Sequence, residues 1–255
     1  MSDYENFKNT GCFFISKTTY ARFKLPYILR HLDKCIYLDS DIVVRKDISE
    51  MWSIDIKNYY LGAVEEPSGK IRNMELQIPQ LSSYFNNGIL LLNLKKLREF
   101  GFKKKAYDYM QDHPHLLYGD QDVFNALFHD NWLPLPMKWN LTTSMYLTKK
   151  LLHYTCYPDN EISAALKNPA IVHYTQEKKP DSVLCQHPFR GDYIIYRSLT
   201  SWKDDGLKDQ NVKSYFIRFY WMIKSFLREF PLAYLFVKQL KLRLLNCKYF
   251  NESKY

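Results

Sequence analysis

Residues 36–44 read Ile36-Tyr37-Leu38-Asp39-Ser40-Asp41-Ile42-Val43-Val44, with apolar side chains on both sides of two acids. This pattern predicts a buried strand that stops, exposes two carboxylates and then continues. Two carboxylates so close together repel each other, and their hard oxygen ligands suit Mg²⁺ or Mn²⁺. A polar turn in which Asp39 caps backbone N–H groups explains the same residues. The run alone therefore leaves both interpretations open.

The composition is typical of a globular protein. The chain has 255 residues, of which 46% are apolar and 25% charged, enough for one large domain or one domain with an appendage. The formal net charge is +9, and residues 211–250 supply +7 of it through eight basic residues and one acid. Because no recognised nucleic-acid-binding motif accompanies this basic segment, we expect no nucleic-acid partner.

The cysteines predict neither a zinc site nor a disulfide framework. The five cysteines are widely spaced and include no Cys-x-x-Cys pair. Reduced thiols in the cytoplasm are the simplest expectation. The first residues, Met1-Ser2-Asp3-Tyr4-Glu5, contain no apolar stretch typical of a secretion signal.

Strand patterns alternate with helix patterns along the chain, which predicts a mixed α/β sheet. The expected strands are Lys34–Val44, Tyr60–Val64 and Ala170–Tyr174. Residues Tyr84–Asn93 are expected to form a turn that leads into a fully buried strand, with Asn86-Asn87-Gly88 as turn residues. One expected helix follows a cap at Thr18 or Thr19, and another opens at Tyr118-Gly119-Asp120-Gln121-Asp122. Two more are expected over Lys95–Gln111 and Glu161–Leu166. We expect residues 68–83 to form a mobile loop. Acids favour helix N-termini, so Asp120 and Asp122 have a structural explanation as well as a functional one.

Five blocks of residues, taken together, resemble one enzyme family. In chain order they are Thr19-Tyr20-Ala21-Arg22, Tyr37-Leu38-Asp39-Ser40-Asp41, Phe85-Asn86-Asn87-Gly88, Asp120-Gln121-Asp122, and His173-Tyr174 with Lys179-Pro180. In order and spacing, residues 12–200 are similar to glycosyltransferase family 8, and above all to its bacterial lipopolysaccharide galactosyl- and glucosyltransferases. The Asp-x-Asp run alone would be much less specific.

The resemblance implies a fold and an activity. The fold is GT-A, a Rossmann-like mixed sheet flanked by helices, expected as a partial domain over residues 1–205. The activity is the retaining transfer of galactose or glucose from a UDP-sugar to a lipopolysaccharide, lipooligosaccharide or related glycan. The implied cofactor is Mn²⁺, with Mg²⁺ as a substitute, because an imidazole ligand favours the softer ion.

The resemblance also assigns site residues. Asp39, Asp41 and His173 match the metal ligands, and Gln121 matches a residue near the anomeric carbon. We interpret Gln121 as an electrostatic stabiliser of oxocarbenium character. Glu65 or Glu66 matches an acidic acceptor contact, and the sequence does not choose between them. The donor-binding residues are Arg22, Ser40, Asn86, Asn87, Asp120 and Lys179, the last opposite the diphosphate.

The chain departs from the family pattern in three respects. The family has a uridine-binding first strand ahead of the block that ends at Arg22, and this chain begins almost at that block. We therefore expect an N-terminally shortened domain. Gln176 stands where the family has a glycine near the phosphates, and Asp181 replaces a tryptophan. Phe14 stands where the family often has a histidine.

The C-terminal segment, residues 206–255, is expected to be a basic, aromatic and helical tail. Apolar and basic residues alternate between 215 and 245, and Pro231 should divide the segment into two helices. Such helices lie in membrane interfaces, so residues 211–250 are expected to bind an anionic membrane surface. That places the protein on the cytoplasmic face of the inner membrane, near a lipid-linked acceptor. Core helices with a solvated basic face are the alternative.

Two other functions fit parts of the sequence. The Asp39-Ser40-Asp41 run also resembles the nucleophile loop of haloacid-dehalogenase phosphatases, in which Asp39 would attack phosphate. That class needs a later Gly-Asp-x-x-x-Asp, and Phe124 stands where its second aspartate is required. A truncated, non-catalytic family member that binds a membrane or a partner is the other alternative.

Overall fold

The structure, a computed structural model, describes residues 17–228. Its strands are β1 (Lys34–Leu38), β2 (Ile42–Val44), β3 (Leu61–Glu65), β4 (Phe85–Asn93), β5 (Trp132–Pro134), β6 (Leu141–Thr142) and β7 (Ile171–His173). Its α-helices are α1 (Leu25–Ile28), α2 (Ser49–Trp52), α3 (Leu94–Glu99), α4 (Phe102–Asp112), α5 (Asp120–Phe128), α6 (Thr143–Leu147), α7 (Asp159–Lys167), α8 (Arg190–Ser198) and α9 (Val212–Arg228). Short 3₁₀ helices cover Lys17–Lys24, Pro67–Arg72, Met137–Trp139 and Lys149–Tyr154.

The strands form two mixed sheets, as the alternating pattern predicts. The four-stranded sheet has the order β1-β4-β3-β5, in which only β3 and β5 are parallel. The three-stranded sheet has the order β2-β7-β6, in which β7 and β6 are parallel. Helices flank these sheets, so the α/β prediction is confirmed.

The predicted strand over Lys34–Val44 is in fact two strands in two different sheets. β1 pairs with β4, and β2 pairs with β7. The chain leaves one sheet and enters the other at Asp39-Ser40-Asp41, where the acids interrupt the apolar run. The strand β1 is also half-buried along its length, where the sequence predicts a buried strand. The change of sheet is what places both aspartates at strand ends.

Strand β4 is buried on both faces, which explains its continuous apolar run. Leu90 and Leu92 point into one core, which also contains Phe124 and Phe128 of α5. The alternate residues, Ile89 and Leu91, point into a second core, which also contains Trp139, Leu141 and Ile171. Since successive side chains of a strand point to opposite faces, one strand supplies both cores. The N-terminal residues of β4, beginning with Phe85 and Asn86, therefore lie in a strand that has a hydrophobic core on each face.

The single basic helix predicted over Lys95–Gln111 is also divided. Helix α3 ends at Glu99, and α4 begins at Phe102. Gly101 between them has φ 73°, a left-handed conformation that glycine adopts at helix ends with little strain. The helical periodicity continues across this break, so the periodicity did not reveal it.

The segment 68–83, predicted to be a mobile loop, packs onto the domain. Part of it belongs to the 3₁₀ helix Pro67–Arg72, and Asn73 is buried. The Asn73 side-chain amide donates hydrogen bonds to the carbonyls of Pro79, Gln80 and Ser82, which fold the segment back on itself. The prediction of a mobile loop was based on the polar composition of the segment, which does not reveal these hydrogen bonds.

The described residues form two compact units. One contains residues 17–179 and 187–192, and the other contains 180–186 and 193–228. The domain boundary predicted at residue 205 stays a prediction. In the second unit, Arg218 of α9 donates hydrogen bonds to the carbonyls of Val183 and Cys185. Pro231 and the rest of the predicted tail lie outside the described residues. Between residues 17 and 228, no helix combines the length and apolarity that a membrane crossing needs.

Candidate functional site

A cavity of about 340 Å³ in the first unit collects most of the predicted site residues. This size falls within the range of roughly 300–1,000 Å³ usual for small-molecule sites. Its lining consists of Thr19, Arg22, Asp39, Asp41, Glu66, Ser68, Gly69, Asn86, Asn87, Tyr118, Asp120, Gln121, Ser144, His173, Thr175, Gln176 and Lys179. The residues come from separate strands and helices and meet only in the folded chain.

Two aspartates and a histidine form a cluster with the geometry of a metal site. Asp39 follows β1, Asp41 precedes β2, and His173 ends β7, whose register places it opposite Ile42. One ligand atom from each of the three lies within 4.8 Å of the others. His173 Nε2 is 3.2 Å from Asp41 Oδ1 and 3.8 Å from Asp39 Oδ2. Two carboxylates and one imidazole suit a divalent ion such as Mn²⁺.

The hydrogen bonds behind His173 determine which of its nitrogens is available. The Gly88 N–H donates to Asn86 Oδ1 at 3.0 Å, so that atom is an acceptor. Asn140 Nδ2 donates to the same oxygen at 2.9 Å, which turns Asn140 Oδ1 toward His173 Nδ1, also at 2.9 Å. His173 Nδ1 must therefore carry the proton. The lone pair of Nε2 faces the aspartates, as a metal-ligating histidine requires.

Gly88 allows the imidazole and Asp39 to approach each other. A Cβ atom on Gly88 would lie 2.2 Å from His173 Cε1 and 2.7 Å from Asp39 Oδ2. No side chain larger than hydrogen fits there without displacing one of the two residues. The turn expected at Asn86-Asn87-Gly88 is wrong, because these residues belong to β4. Gly88 is required by the close approach of His173 and Asp39 and not by a turn.

The cavity is negatively charged. Four carboxylates and two cationic side chains line it, a formal excess of two negative charges. Lys179 Nζ is 2.6 Å from Asp41 Oδ2 and donates to the Tyr174 carbonyl at 2.8 Å. Burial alone would raise the pKa of Asp41, but His173, when its imidazole is protonated on both nitrogens, and Lys179 outweigh it and hold that pKa well below its ordinary value. An anionic ligand needs an additional cation to enter this cavity.

Arg22 connects the metal cluster to the acids at the start of α5. Its guanidinium is 2.9 Å from Asp39 Oδ1 and 2.9 Å from Asp120 Oδ2, and it also donates to the Asn87 carbonyl at 2.9 Å. Asn87 Nδ2 donates to Asp120 Oδ2 at 2.8 Å. Burial raises the pKa of Asp120, although the charge of Arg22 acts in the opposite direction. These side chains form a directional set of donors and acceptors in the cavity wall.

Gln121 lies beside this network with its amide fixed at both ends. The Asn87 N–H donates to Gln121 Oε1 at 3.2 Å, and Gln121 Nε2 donates to the Tyr84 hydroxyl at 3.2 Å. A backbone N–H can only donate a hydrogen bond, so the end of the Gln121 amide that faces Asn87 must be the oxygen.

The structure separates the two glutamates that the sequence could not. Glu66 lines the cavity and accepts hydrogen bonds from Ser68 at 2.8 Å and Ser144 at 3.2 Å. Burial raises the pKa of Glu66 above its ordinary value. Glu65 is fully buried, pairs with Lys70 at 2.9 Å, and does not line the cavity. Ser40, predicted to bind the donor, is exposed and is also not in the cavity wall.

Sequence reasoning gave no role to several residues of the site. Gly88 belongs to a quoted block, but nothing in the sequence linked it to His173. Asn140 and Tyr84 lack any motif of their own. Asn140 accepts a hydrogen bond from His173, which is 33 positions away in the sequence. The two residues meet because β6 pairs with β7.

Comparisons with known proteins identify relatives of this chain. The family model described as "Glycosyl transferase family 8" matches residues 2–181. General stress protein A of Bacillus subtilis (strain 168) is 32% identical over 197 residues, which cover 75% of this chain and 68% of that protein. The lipopolysaccharide 1,2-glucosyltransferase of Escherichia coli (strain K12) is 30% identical over 182 residues, and the match covers 70% of this chain. The chain spans about half of that second relative, 53% of its length.

Among solved structures, this chain is similar to the galactosyltransferase LgtC in complex with donor and acceptor sugar analogues. The two have a TM-score of 0.68 and 25% sequence identity, and the match covers 78% of this chain and 72% of that one.

Proposed function

Because this chain belongs to glycosyl transferase family 8, we propose that it transfers galactose or glucose from a UDP-sugar to a glycan, with retention of anomeric configuration. Its fold is that of GT-A glycosyltransferases such as LgtC. The meeting of Asp39, Asp41 and His173 in the wall of the polar cavity is the observation that carries the proposal.

The donor set fits a divalent cation, and Mn²⁺ is the ion proposed. When bound by Asp39, Asp41 and His173, it would act as a Lewis acid on the diphosphate leaving group. Asn140 holds His173 with Nε2 free for this purpose. The formal negative charge of the cavity supports the same proposal, since a diphosphate would otherwise meet net repulsion.

The chain's own residues would bind and orient the donor. Lys179, which lies beside Asp41, offers a cation to the diphosphate. Arg22, Asn87 and Asp120 present donors and acceptors at fixed positions for the sugar hydroxyls. A wrong epimer would leave some of these buried polar groups without partners, which penalises its binding.

Gln121 would act at the reacting carbon. Its amide oxygen lies next to Asn87 in the cavity wall. A partial negative charge held there by hydrogen bonds stabilises positive charge that develops at the anomeric carbon. No nucleophilic step is assigned to it.

Glu66 is the proposed acceptor contact. It is the glutamate that lines the cavity, and its neighbours Ser68 and Ser144 offer further hydroxyl groups to a sugar. Lipopolysaccharide or lipooligosaccharide is the proposed acceptor class, supported by the similarity to the lipopolysaccharide 1,2-glucosyltransferase.

The proposed location is the cytoplasmic face of the inner membrane, and helix α9 supports its first requirement, contact with an anionic membrane surface. Val212, Phe216, Phe219 and Ile223 are exposed and recur at intervals of three or four residues. An exposed apolar stripe with basic neighbours is typical of a helix that lies in a membrane interface.

A thermal shift measurement with a panel of UDP-sugars, with and without Mn²⁺, tests the proposal. Ligands that bind only the folded state raise the melting temperature. We expect UDP-galactose or UDP-glucose to stabilise the protein with Mn²⁺ present and much less without it. The absence of any shift across the panel would contradict the proposal.

A product assay separates the alternatives. UDP release from a UDP-sugar indicates a transferase, and phosphate release from a phosphomonoester indicates a phosphatase. Neither product indicates a non-catalytic binding protein.

A further inference from the structure

A buried row of three side chains lies behind Gln121. Tyr84 precedes β4, Asp122 belongs to the first turn of α5, and Arg72 ends the 3₁₀ helix Pro67–Arg72. All three are buried. The roles assigned above involve none of them, although Asp122 and Arg72 form a buried ion pair at 3.2 Å.

The hydrogen bonds along this row have a fixed direction. Asp122 accepts from Arg72 at 3.2 Å, from the Tyr118 N–H at 2.8 Å, and from the Tyr84 hydroxyl at 2.7 Å. A carboxylate paired with a guanidinium has no proton to give, so the Tyr84 hydroxyl must donate to it. The Tyr84 oxygen then offers only lone pairs, and Gln121 Nε2 donates to one of them at 3.2 Å.

Two independent contacts therefore select the same orientation of the Gln121 amide. Tyr84 requires the NH₂ end at one side, and the Asn87 N–H requires the oxygen end at the other. With the amide reversed, a donor would face a donor at Asn87. The row therefore distinguishes the oxygen end of the Gln121 amide from its NH₂ end. Packing alone would not require this distinction.

Close packing and backbone hydrogen bonds hold the row in place. A Cβ atom on Gly69 would lie only 1.9 Å from Tyr84 Cδ1, so the backbone at Gly69 is packed directly against the tyrosine ring. Asn125 joins β4 to α5, because its side chain accepts from the Phe85 N–H at 2.8 Å and donates to the Phe85 carbonyl at 2.9 Å. The distance between Tyr84 and Gln121 is therefore set by the fold.

We infer that Tyr84, oriented by Asp122 and Arg72, is a positioning residue that holds the Gln121 amide oxygen toward the reacting sugar carbon. This inference rests on the proposed transferase function and deepens it. Burial, with the charge of Asp122, raises the pKa of Tyr84 well above its ordinary value, so the hydroxyl keeps the proton that it donates.

The variant Tyr84→Phe tests the inference, because it removes only the hydroxyl. We expect kcat for UDP-hexose turnover to fall about tenfold or more, since a misplaced catalytic group costs that order of rate. We expect KM for the donor to change little. Tyr146→Phe is the matched control: its hydroxyl donates to the Leu166 carbonyl at 2.7 Å, away from the cavity wall, and kcat should be retained.

A double variant distinguishes positioning from general weakening of the fold. If Tyr84 acts through Gln121, then Tyr84→Phe lowers kcat in the unaltered protein but has little further effect in the Gln121→Ala background. If Tyr84→Phe lowered kcat by the same factor in both backgrounds, the inference would be overturned. An unchanged kcat in the single variant Tyr84→Phe would also overturn it.

A spectroscopic measurement decides the matter even without turnover. In protein labelled with ¹⁵N-glutamine, the side-chain amide signal of Gln121 is identified by its loss in Gln121→Ala. We expect this signal to move in Tyr84→Phe and to stay in place in Tyr146→Phe. An unmoved signal in Tyr84→Phe would refute the hydrogen-bonded row. Failure of every UDP-hexose to turn over would instead refute the proposed function, with the spectrum still deciding the role of Tyr84.

Discussion

At the scale of single residues, the geometry of the proposed metal cluster, Asp39, Asp41 and His173, depends on groups outside the proposed ligand set. Gly88, Asn86 and Asn140 form a chain of hydrogen bonds that ends on His173 Nδ1. The direction of every bond in it follows from one backbone N–H. His173 is thereby held in the tautomer that presents Nε2 to Asp41.

Asn140→Ala should weaken metal binding without unfolding the protein. Loss of its oxygen leaves His173 Nδ1 without an acceptor and lets the ring turn. Loss of such an outer partner typically costs about 10- to 100-fold in metal affinity. Titration with Mn²⁺ followed by electron paramagnetic resonance measures this. Asn168→Ala, at an exposed asparagine, should bind Mn²⁺ like the unaltered protein; unchanged affinity in Asn140→Ala would contradict the assigned tautomer.

Gly88→Ala should disrupt the same cluster by steric conflict. The added methyl group would lie 2.2 Å from His173 Cε1, so the imidazole must move away from the aspartates. Overpacking of this kind typically costs about 1–3 kcal/mol of stability. Urea unfolding and Mn²⁺ titration measure the two effects. Gly191→Ala is the control, since a Cβ on Gly191 meets nothing within 4 Å. Normal Mn²⁺ affinity in Gly88→Ala would refute this explanation of the glycine.

At the scale of elements, the position of the aspartates depends on a change of sheet. The apolar pattern predicted strand structure on both sides of Asp39-Ser40-Asp41, and that is confirmed. It did not predict that β1 and β2 belong to different sheets, because pairing partners lie far along the chain: β1 pairs with β4 and β2 pairs with β7. Local patterns specify strands, whereas the choice of neighbour depends on the packing of the whole domain.

Helix α9 should bind anionic membranes through its exposed aromatic residues. Phe216 and Phe219 are 69% and 59% exposed, and at this spacing they lie on the same face of the helix. Burying one such side chain contributes about 1.5–3 kcal/mol. We therefore expect Phe216→Glu to reduce sedimentation with anionic vesicles about tenfold or more.

The control for α9 is an exposed aromatic residue of the other unit. Tyr154 is 72% exposed, and Tyr154→Glu introduces the same charge elsewhere. It should leave vesicle binding unchanged. Equal binding by Phe216→Glu and the unaltered protein would argue that α9 does not carry the membrane contact.

At the scale of the whole molecule, one buried histidine makes stability depend on pH. His187 is buried, accepts from the Phe189 N–H and donates to the Leu141 carbonyl, so it folds in the neutral form. Burial lowers its pKa to about 4. The unfolded chain takes up a proton below about pH 6.5, while the folded chain resists until about pH 4. Stability is therefore lost as pH falls through this window.

His187→Phe should flatten that pH dependence. The unaltered protein is expected to lose about 2 kcal/mol more than the variant between pH 7.5 and pH 5. Urea unfolding at both values, in metal-free buffer, measures the difference. Parallel losses in the two proteins would show that His187 is not the group responsible.

The candidate site was largely predictable from sequence, and its supporting residues were not. Asp39, Asp41, His173 and Gln121 belong to short blocks that match the pattern of glycosyltransferase family 8, and all four line one cavity. Glu65 ends β3, and Glu66 follows it in extended backbone, so the two side chains point in opposite directions. The sequence alone did not say which side the cavity occupies.

The supporting residues escaped prediction for a different physical reason. Asn140 reaches Asn86 across 54 positions, and Tyr84 reaches Asp122 across 38. An asparagine or tyrosine of this kind has an ordinary sequence context. Its importance comes from one hydrogen bond whose partner is known only once the chain has folded.

The most direct measurement is Mn²⁺-dependent release of UDP from UDP-hexoses by the unaltered protein and by Asp41→Asn. The substitution keeps the shape of the side chain and removes the charge that a cation requires. We predict clear turnover in the unaltered protein and a loss of about 100-fold or more in Asp41→Asn, because the charge at the metal site governs the departure of UDP. The fold of the variant should stay intact by circular dichroism, although losing the contacts of Asp41 with Lys179 and His173 lowers its melting temperature. Asp55→Asn, at an exposed aspartate, should retain full turnover. Equal UDP release by Asp41→Asn and the unaltered protein would contradict the metal site and the transferase mechanism built on it.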